Sequence, residues 1–448
     1  MTIRSRLAGK GSWHPAVVFV YGFAAVILVG TVVLMLPVSS ATGQWTPAED
    51  ALFTATSAVC VTGLVVVDTG TYWSGFGQAV ILVLFQVGGV GFMTSSTALL
   101  MLTGKRATLR ERLLLREALG ASELGSVLRL ARKVIAFTFI VEGIGAVVLT
   151  LRFLREVEAP LAIWWGVFHA VSGFNNAGFD LFGQYRSLAG YSHDPAVLLP
   201  IAALFVIGSL SYTVVEDLIR HRRFVDWSLD TKIVVVTTAS LTVIGTLVLL
   251  FTERANPRSF GEMEAGTRLL NAFFHTVSRT AGFSAIDMGG MTEDGLFVVM
   301  GLMFIGGSAA STAGGIKVQT FSLLLFAILA AVRGLDEVEA FRRRVPLPQV
   351  LRALSIALLS VAGVFAVSLA LNVSEQFVFH RVLFEVVSAL ATVGYSTGIT
   401  PETTPTGRAI LILAMFVGRL GPLTLVLALA GRVRRSTHRW TEEVIKIG

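Results

Sequence analysis

The chain has 448 residues, 54% of them hydrophobic and 15% charged, and its formal net charge is +7. With a mean hydropathy of +0.74, this composition places it among integral membrane proteins. The single cysteine, Cys60, excludes an intrachain disulfide and a cysteine-based zinc site, and no nucleic acid is needed to explain the charge because basic linkers beside anionic lipid account for it.

Eight apolar stretches are each long enough to cross about 30 Å of hydrocarbon as a helix. The first is too long for the core of a signal peptide, so we expect it to remain a membrane span. The eight stretches lie near residues 15–37, 73–102, 130–151, 195–219, 232–252, 293–332, 350–371 and 405–431. A multi-pass protein surrounded by the lipid bilayer is therefore predicted.

A short motif that begins with Phe, ends with Ser and runs into a glycine occurs four times. The glycines are Gly63, Gly178, Gly282 and Gly394, at intervals of 115, 104 and 112 residues, which indicates one unit repeated in tandem. We predict an all-α integral membrane protein with eight transmembrane helices, in which each unit reads span, pore helix, filter and span. No Pro- or Ser-rich linker divides the chain, so we expect a single domain, 1–448. Its repeats are about 1–115, 116–225, 226–340 and 341–448.

The segments that follow the four serines are not helical in character. Non-helical backbone at membrane depth must be covered by protein or face a water-filled cavity, so we expect these segments to surround one axis in a pseudo-fourfold arrangement. Glycine lets successive carbonyl groups point the same way, as a cation filter requires, and the fourth copy reads Thr-Val-Gly-Tyr. The expected ion-binding carbonyls belong to three residues in each copy: Val61, Thr62, Gly63, Asn176, Ala177, Gly178, Thr280, Ala281, Gly282, Thr392, Val393 and Gly394.

Basic residues predict the orientation. The termini and the linkers between repeats hold 25 of the 36 lysines and arginines. By the positive-inside rule, both termini are cytoplasmic and the glycine segments lie near the outer face of the plasma membrane, which in a bacterium is the inner membrane.

Small residues interrupt the long apolar stretch 293–332 and weaken its helix propensity. A flexible packing kink would explain the interruption, and so would a gate. It is not a Walker A loop, because Lys317 follows Ile316 where that motif has Gly, so no nucleotide is expected to bind this chain. The interrupting residues are Gly306, Gly307, Ser308, Ala309, Ala310, Ser311, Thr312, Ala313, Gly314, Gly315 and, after Ile316, Lys317.

Few ionisable residues fall inside the apolar stretches. Arg419 lies near the middle of the last one, where a lone arginine costs roughly 2.5–3.5 kcal/mol, so it should face the protein interior, water or a buried carboxylate. Interhelical hydrogen bonding explains Glu142 most simply. His169, His275 and Glu385 each follow the Phe of a repeat, and capping or packing explains them better than metal binding because no second ligand lies at helical spacing.

The whole chain resembles the TrkH/KtrB/HKT superfamily of potassium-translocating subunits. Within this superfamily it looks most like the KtrB branch, because it has eight predicted spans without an extra leading pair and a short apolar tail at 442–448. One departure is that the third copy is two residues shorter between Ser and Gly, so its filter backbone is expected to be offset. The most specific segments are 61–64, 175–179, 279–283 and 391–395.

The resemblance implies one pseudo-fourfold pore per chain, a homodimer with two separate pores, and regulation by a cytoplasmic ring of KtrA-like subunits with nucleotide-binding RCK domains. It also implies that the loop 306–316 is an intramembrane gate under the filter and that Arg419 repels cations below it. Sodium-selective plant members carry Ser at the first filter glycine, so Gly63 implies a preference for potassium.

We therefore expect potassium translocation, with the potassium ion as cargo and no covalent cofactor. Two alternatives stay open: a sodium or weakly selective cation transporter of the same fold, and a secondary transporter of an organic solute. The repeats of secondary transporters are usually inverted and few, whereas the four repeats of this chain run parallel. No enzyme is expected, because no nucleophile–base pair or metal cluster recurs in the sequence.

Overall fold

The computed structural model describes residues 15–91 and 127–421. Within these ranges the chain is mostly helical. The predicted spans 73–102 and 405–431 continue into residues outside the described part, as does the tail 442–448. The first two repeats contain α1 (Pro15–Met35), α2 (Ala48–Val59), α3 (Thr69–Tyr72), α4 (Gly75–Val90), α5 (Val127–Phe153), α6 (Ala159–Phe174), α7 (Pro195–Ser209) and α8 (Tyr212–Arg220).

The last two repeats have the same order, with a small hairpin between them. The elements are α9 (Leu229–Glu253), α10 (Ala265–Val277), α11 (Glu293–Phe304), α12 (Val318–Val332), β1 (Val338–Ala340), β2 (Arg343–Val345), α13 (Leu347–Ser374), α14 (Phe379–Leu390) and α15 (Pro405–Leu420).

Three helices of the described ranges are each long and apolar enough to cross a membrane alone. They are Arg132–Phe153 within α5, the whole of α9 and the whole of α13. A fourth candidate is the pair α7 and α8, which is bent by 100° at its break. The segment 195–219 is therefore not one straight helix as the sequence suggested, because α7 ends at Ser209 and the side chain of Ser211 caps a new helix by accepting from the amide of Val214.

The four short helices α2, α6, α10 and α14 lie inside the molecule, where each carries the Phe of its repeat. Phe53, Phe168, Phe274 and Phe384 are completely buried. Each short helix packs against the first helix of its own repeat and against the second helix of the preceding repeat. These contacts join α4 to α6, α7 to α10, α11 to α14 and, closing the circle, α15 to α2.

Side-chain caps set where the second helix of three repeats begins. The hydroxyl groups of Ser74, Thr292 and Thr404 each accept from the amide of the glycine three residues later, which satisfies one free donor of the first turn. In the third and fourth repeats a buried glutamate at the end of the first helix, Glu253 or Glu375, accepts from the hydroxyl of that same threonine. The two helices of each of these repeats are thereby joined at one end.

The hairpin β1–β2 is the one departure from helix among the regular elements of the described residues. Val338 pairs with Val345 and Ala340 with Arg343, so the turn consists of Phe341 and Arg342, with φ of 48° and 63°. Such left-handed pairs suit the twist of a two-residue hairpin but normally contain Asn or Gly. Sequence reasoning missed the hairpin because this turn lacks that signal.

Asp217 connects α8 to the start of α9. Its carboxylate accepts from the Ser228 amide at 2.9 Å and the Thr231 hydroxyl at 2.5 Å, and His221 lies 2.7 Å away. The carboxylate of Asp217 therefore joins α8 to the first turn of α9.

We expect Asp217→Asn to lower the free energy of unfolding by about 1–2 kcal/mol at neutral pH, because the buried Thr231 hydroxyl and the Ser228 amide lose a charged acceptor. Thermal unfolding of the purified protein in detergent measures this loss. Asp226→Asn, at an exposed carboxylate of the same linker, is the control, and equal melting of both variants would contradict the prediction.

Candidate functional site

The backbone after three of the four short helices has an alternating conformation. Val61, Asn176 and Thr392, each two residues before a repeat glycine, have φ of 55°, 57° and 48°. The glycines that follow also have positive φ: 88° at Gly63, 72° at Gly178 and 105° at Gly394. Left-handed residues that alternate with right-handed or extended ones let successive carbonyl groups face the same side, which is the arrangement that coordination of a dehydrated cation requires.

The four repeat glycines touch one another in chain order and close a ring. A methyl group built on Gly63 would lie 2.5 Å from the carbonyl oxygen of Ala177, and one on Gly178 would lie 2.5 Å from that of Ala281. Methyl groups on the other two glycines would lie closer still to the next carbonyl: Gly282 to Val393, and Gly394 to Thr62. Each of these carbonyls belongs to the residue just before the glycine of the adjoining repeat, so the same atoms meet at all four contacts.

The serine of each repeat supports the backbone beside its glycine, in one of two ways. Ser57 and Ser388 accept from the amides of Gly63 and Gly394, both at 3.1 Å. In the second and third repeats, Ser172 and Ser278 instead donate to the carbonyl oxygens of Phe179 and Phe283, at 2.8 and 2.7 Å. The serine thus ties its short helix to the glycine segment in every copy.

The third copy has a different backbone conformation before its glycine. The chain from Ser278 to Thr280 forms a 3-10 turn, and Gly282 itself donates to the carbonyl of Ser278 at 3.0 Å. No residue between that serine and Gly282 has positive φ. Arg279, which is 3% exposed, donates to the carbonyl groups of Ile305 and Gly306, so this copy is joined to the segment between α11 and α12.

That segment folds back on itself. Ile305 and Ile316 form a parallel bridge, and the amide of Gly306 donates to the carbonyl of Ile316 at 2.8 Å. A side chain at Gly306 would collide with the backbone of Gly314, so small residues are required where the two ends cross. The interruption is a compact loop and not a simple kink in one helix. We call residues 306–317 the crossing loop.

We call the side of the ring formed by the residues before each glycine its inner end, and the side formed by the residues after each glycine its outer end. The tip of the crossing loop lies against the inner end. The hydroxyl of Thr312 is 2.9 Å from Nδ2 of Asn176 and 2.8 Å from the carbonyl of Gly208, and the Asn176 Oδ1 accepts from Thr280 at 2.8 Å. A methyl group on Gly314 would collide with Thr392 of the fourth copy. The loop therefore contacts the second and fourth copies directly, and the third through Arg279.

Two half-buried basic side chains contact the loop. Arg419 donates to the carbonyl of Thr312 at 2.7 Å and to that of Gly88 in α4 at 2.6 Å. Lys317 donates to the carbonyl of Ala313 at 2.6 Å. No carboxylate pairs with Arg419 in the described part of the chain. Its charge is held by carbonyl dipoles next to the loop.

A polar cluster behind the second copy joins three elements. Glu142 of α5 accepts from Gln86 of α4 at 3.0 Å and from Asn175 at 2.9 Å. A methyl group on Gly89 would collide with the Asn175 side chain, so this glycine permits close packing of α4 against the second copy. Interhelical hydrogen bonding is thus the observed role of Glu142. The sequence did not predict the contacts of Gln86, Asn175 and Arg279, because their partners lie far away in the chain and no local pattern indicates them.

His169, His275 and Glu385 are completely buried within the short helices. Within residues 15–91 and 127–421, no cluster of three metal-ligating side chains is present. Each of the three contacts backbone beyond the glycine of its own repeat.

The chain is similar to known proteins over nearly its whole length. The family model described as "TrkH: Cation transport protein" matches residues 11–435. The chain is 40% identical over 436 residues to "Ktr system potassium uptake protein B" of Bacillus subtilis, covering 97% of each chain. It is also 36% identical to "Potassium/sodium uptake protein NtpJ" of Enterococcus hirae, covering 100% of each.

A solved structure has the same fold. The crystal structure of the potassium transporter TrkH from Vibrio parahaemolyticus superposes with a TM-score of 0.72 at 18% identity, over 94% of this chain and 86% of that one. At this identity the likeness concerns the fold alone. The family model matches nearly the whole chain, so the protein belongs to the TrkH family of cation transport proteins.

Proposed function

We propose that this chain translocates potassium ions across the plasma membrane through one pseudo-fourfold pore formed by its four repeats. The observation that carries the proposal is the closed ring of repeat glycines, in which each glycine adjoins the carbonyl that precedes the next. A ring of backbone carbonyls can replace the hydration shell of a cation. The potassium uptake protein at 40% identity supports potassium as the cargo.

In this proposal the carbonyl groups of residues 61–63, 176–178, 280–282 and 392–394 hold the dehydrated ion. The C-terminal ends of the four short helices point their partial negative charge at the same place. Transport runs down the electrochemical gradient, which supplies about 2.3 kcal/mol per charge for each 100 mV, so it needs no covalent chemistry.

The crossing loop is the proposed gate. Its tip reaches the inner end of the ring through Thr312, and small residues at its crossing point would let it fold and unfold within a confined space. We further propose that two chains form a homodimer with separate pores, that both termini are cytoplasmic, and that a ring of KtrA-like RCK-domain subunits docks on the basic linkers and moves the loop.

Arg419 is proposed to lower cation occupancy beneath the ring and to hold the loop closed. We expect Arg419→Gln to raise potassium flux without a partner about fivefold, because the variant removes a positive charge and weakens the bond to the Thr312 carbonyl. Potassium isotope uptake into proteoliposomes measures the flux. Arg155→Gln, at an exposed arginine remote from the ring, is the control, and a similar flux in both variants would contradict the assigned role.

A second candidate is a carrier of sodium, or of both ions, with the same fold. The name of the Enterococcus hirae relative includes both potassium and sodium. Uptake of labelled potassium by proteoliposomes, with sodium or unlabelled potassium as competitor, separates the two candidates. Uptake that sodium inhibits as strongly as unlabelled potassium does would reject the potassium-selective proposal.

A further inference from the structure

Three short helices carry a buried acceptor directed at the outer end of their own glycine segment. Nε2 of His169 accepts from the amide of Leu181 at 3.2 Å, and Nε2 of His275 accepts from that of Ala285 at 3.1 Å. In the fourth repeat, Oε1 of Glu385 accepts from the amide of Thr397 at 2.8 Å.

The three contacts are equivalent by position. Each acceptor directly follows the Phe of its repeat, and each donor is the amide three residues after the repeat glycine. The contact is conserved in geometry between the second and third repeats, although the third is two residues shorter between Ser and Gly. The same chain position therefore performs the same task with imidazole in two repeats and with carboxylate in the other.

The two imidazole rings are held in one orientation and one tautomer. Nδ1 lies 2.7 Å from the carbonyl oxygen four residues earlier in the helix, Trp165 for His169 and Asn271 for His275. A carbonyl group only accepts, so Nδ1 carries the proton and Nε2 is free to accept from the amide. Glu385 is held in a similar way, by the hydroxyl groups of Ser396 and Thr400.

The first repeat lacks this contact. Thr54 occupies the equivalent position, and its buried hydroxyl oxygen has no hydrogen-bond partner. There the backbone three residues beyond the glycine is held from outside the repeat, because the hydroxyl of Tyr185 donates to the carbonyl of Val66 at 3.2 Å. The contact between a short helix and the backbone after its glycine is therefore present in the second, third and fourth repeats and is missing from the first.

We propose that His169, His275 and Glu385 are positioning residues that hold three outer ends of the ring in place and thereby set the preference of the pore for potassium over sodium. This inference rests on the proposed function. A carbonyl ring discriminates between the ions only while its oxygens stay at a defined spacing and field strength. The helices hold that spacing through these acceptors, since none of the amides of the three residues after each repeat glycine donates to a backbone carbonyl.

The test replaces each acceptor in the full-length protein and measures the ratio of potassium to sodium uptake in proteoliposomes. His169→Phe, His275→Phe and Glu385→Leu remove the acceptor but retain apolar bulk, and each should lower the ratio about five- to tenfold, as the loss of one buried hydrogen bond implies. His275→Gln and Glu385→Gln keep an acceptor oxygen and should stay within about twofold of the wild type. Three equivalent sites keep the test valid if one variant does not fold.

The matched control is Thr54→Val, which changes the equivalent position where no hydrogen bond is lost, and it should leave the ratio unchanged. Gly63→Ser is measured in parallel. If the acceptor variants fold and keep the wild-type ratio while Gly63→Ser loses it, the positioning role is overturned and the filter stands. If Gly63→Ser also keeps the ratio, the filter assignment itself is rejected. A ratio lost equally by the Gln and the Phe or Leu variants would also overturn the positioning role.

Discussion

Gly63→Ser is expected to reduce the preference for potassium over sodium about tenfold or more. The residue has φ of 88°, where any side chain costs roughly 1–2 kcal/mol, and its Cβ would lie 2.5 Å from the carbonyl oxygen of Ala177. That oxygen is backbone in the adjoining repeat and cannot rotate away, so the ring must widen. A wider ring holds its oxygens less well for a dehydrated potassium ion, and hydrated or smaller cations are excluded less strictly.

Uptake of labelled potassium and sodium by proteoliposomes measures this preference directly. The matched control is Gly266→Ala in the short helix α10, where an added methyl group would have no neighbour within 4 Å. That variant should keep the wild-type preference. An unchanged preference in Gly63→Ser, with folding verified by thermal unfolding, would count against Gly63 as part of the filter.

Deletion of residues 309–314 is expected to raise potassium flux about tenfold when no regulatory partner is present. The deletion removes Thr312, whose hydroxyl group contacts the Asn176 side chain and the carbonyl groups of Phe174 and Gly208. If those hydrogen bonds favour the closed loop by about 1.4 kcal/mol in total, their loss increases the open population tenfold. Flux through the purified chain alone, without any partner, is the measurement.

Thr312→Val separates the hydrogen bonds from the bulk of the loop. Valine has nearly the same shape, so this variant should raise flux in the same direction as the deletion but by less. Thr242→Val is its control, because that hydroxyl bonds only within α9, to the carbonyl of Thr238 at 2.9 Å. If neither the deletion nor Thr312→Val changes flux, the crossing loop is not the gate.

Local sequence contained much of the fold. The repeated Phe and Ser positions led to the four units, and the structure buries all four Phe residues completely and joins all four serines to their glycine segments. The sequence alone revealed these units because the motif recurs at similar intervals and because each helix is apolar along its length. The bend after Ser209 was missed, although the N-cap residue Ser211 was a usable signal.

What the sequence could not reveal were partners distant in the chain. Spacing located each serine but did not indicate whether it accepts from a glycine amide, as Ser57 does, or donates to a carbonyl, as Ser172 does. The contact of Arg419 with the crossing loop spans more than a hundred residues, and no local pattern encodes it. The small hairpin was missed for the related reason that its turn has Phe341 and Arg342 where glycine or asparagine is usual.

Composition, apolar length and a fourfold motif determined by themselves that this is a membrane protein of repeated units with glycine segments between its helices. Only the tertiary structure decided that the four segments meet in a ring, that the crossing loop lies against the inner end of this ring, and that three buried acceptors hold its outer end. The reason is physical: helix formation depends on neighbours along the chain, whereas a ring of carbonyl groups depends on how distant helices pack.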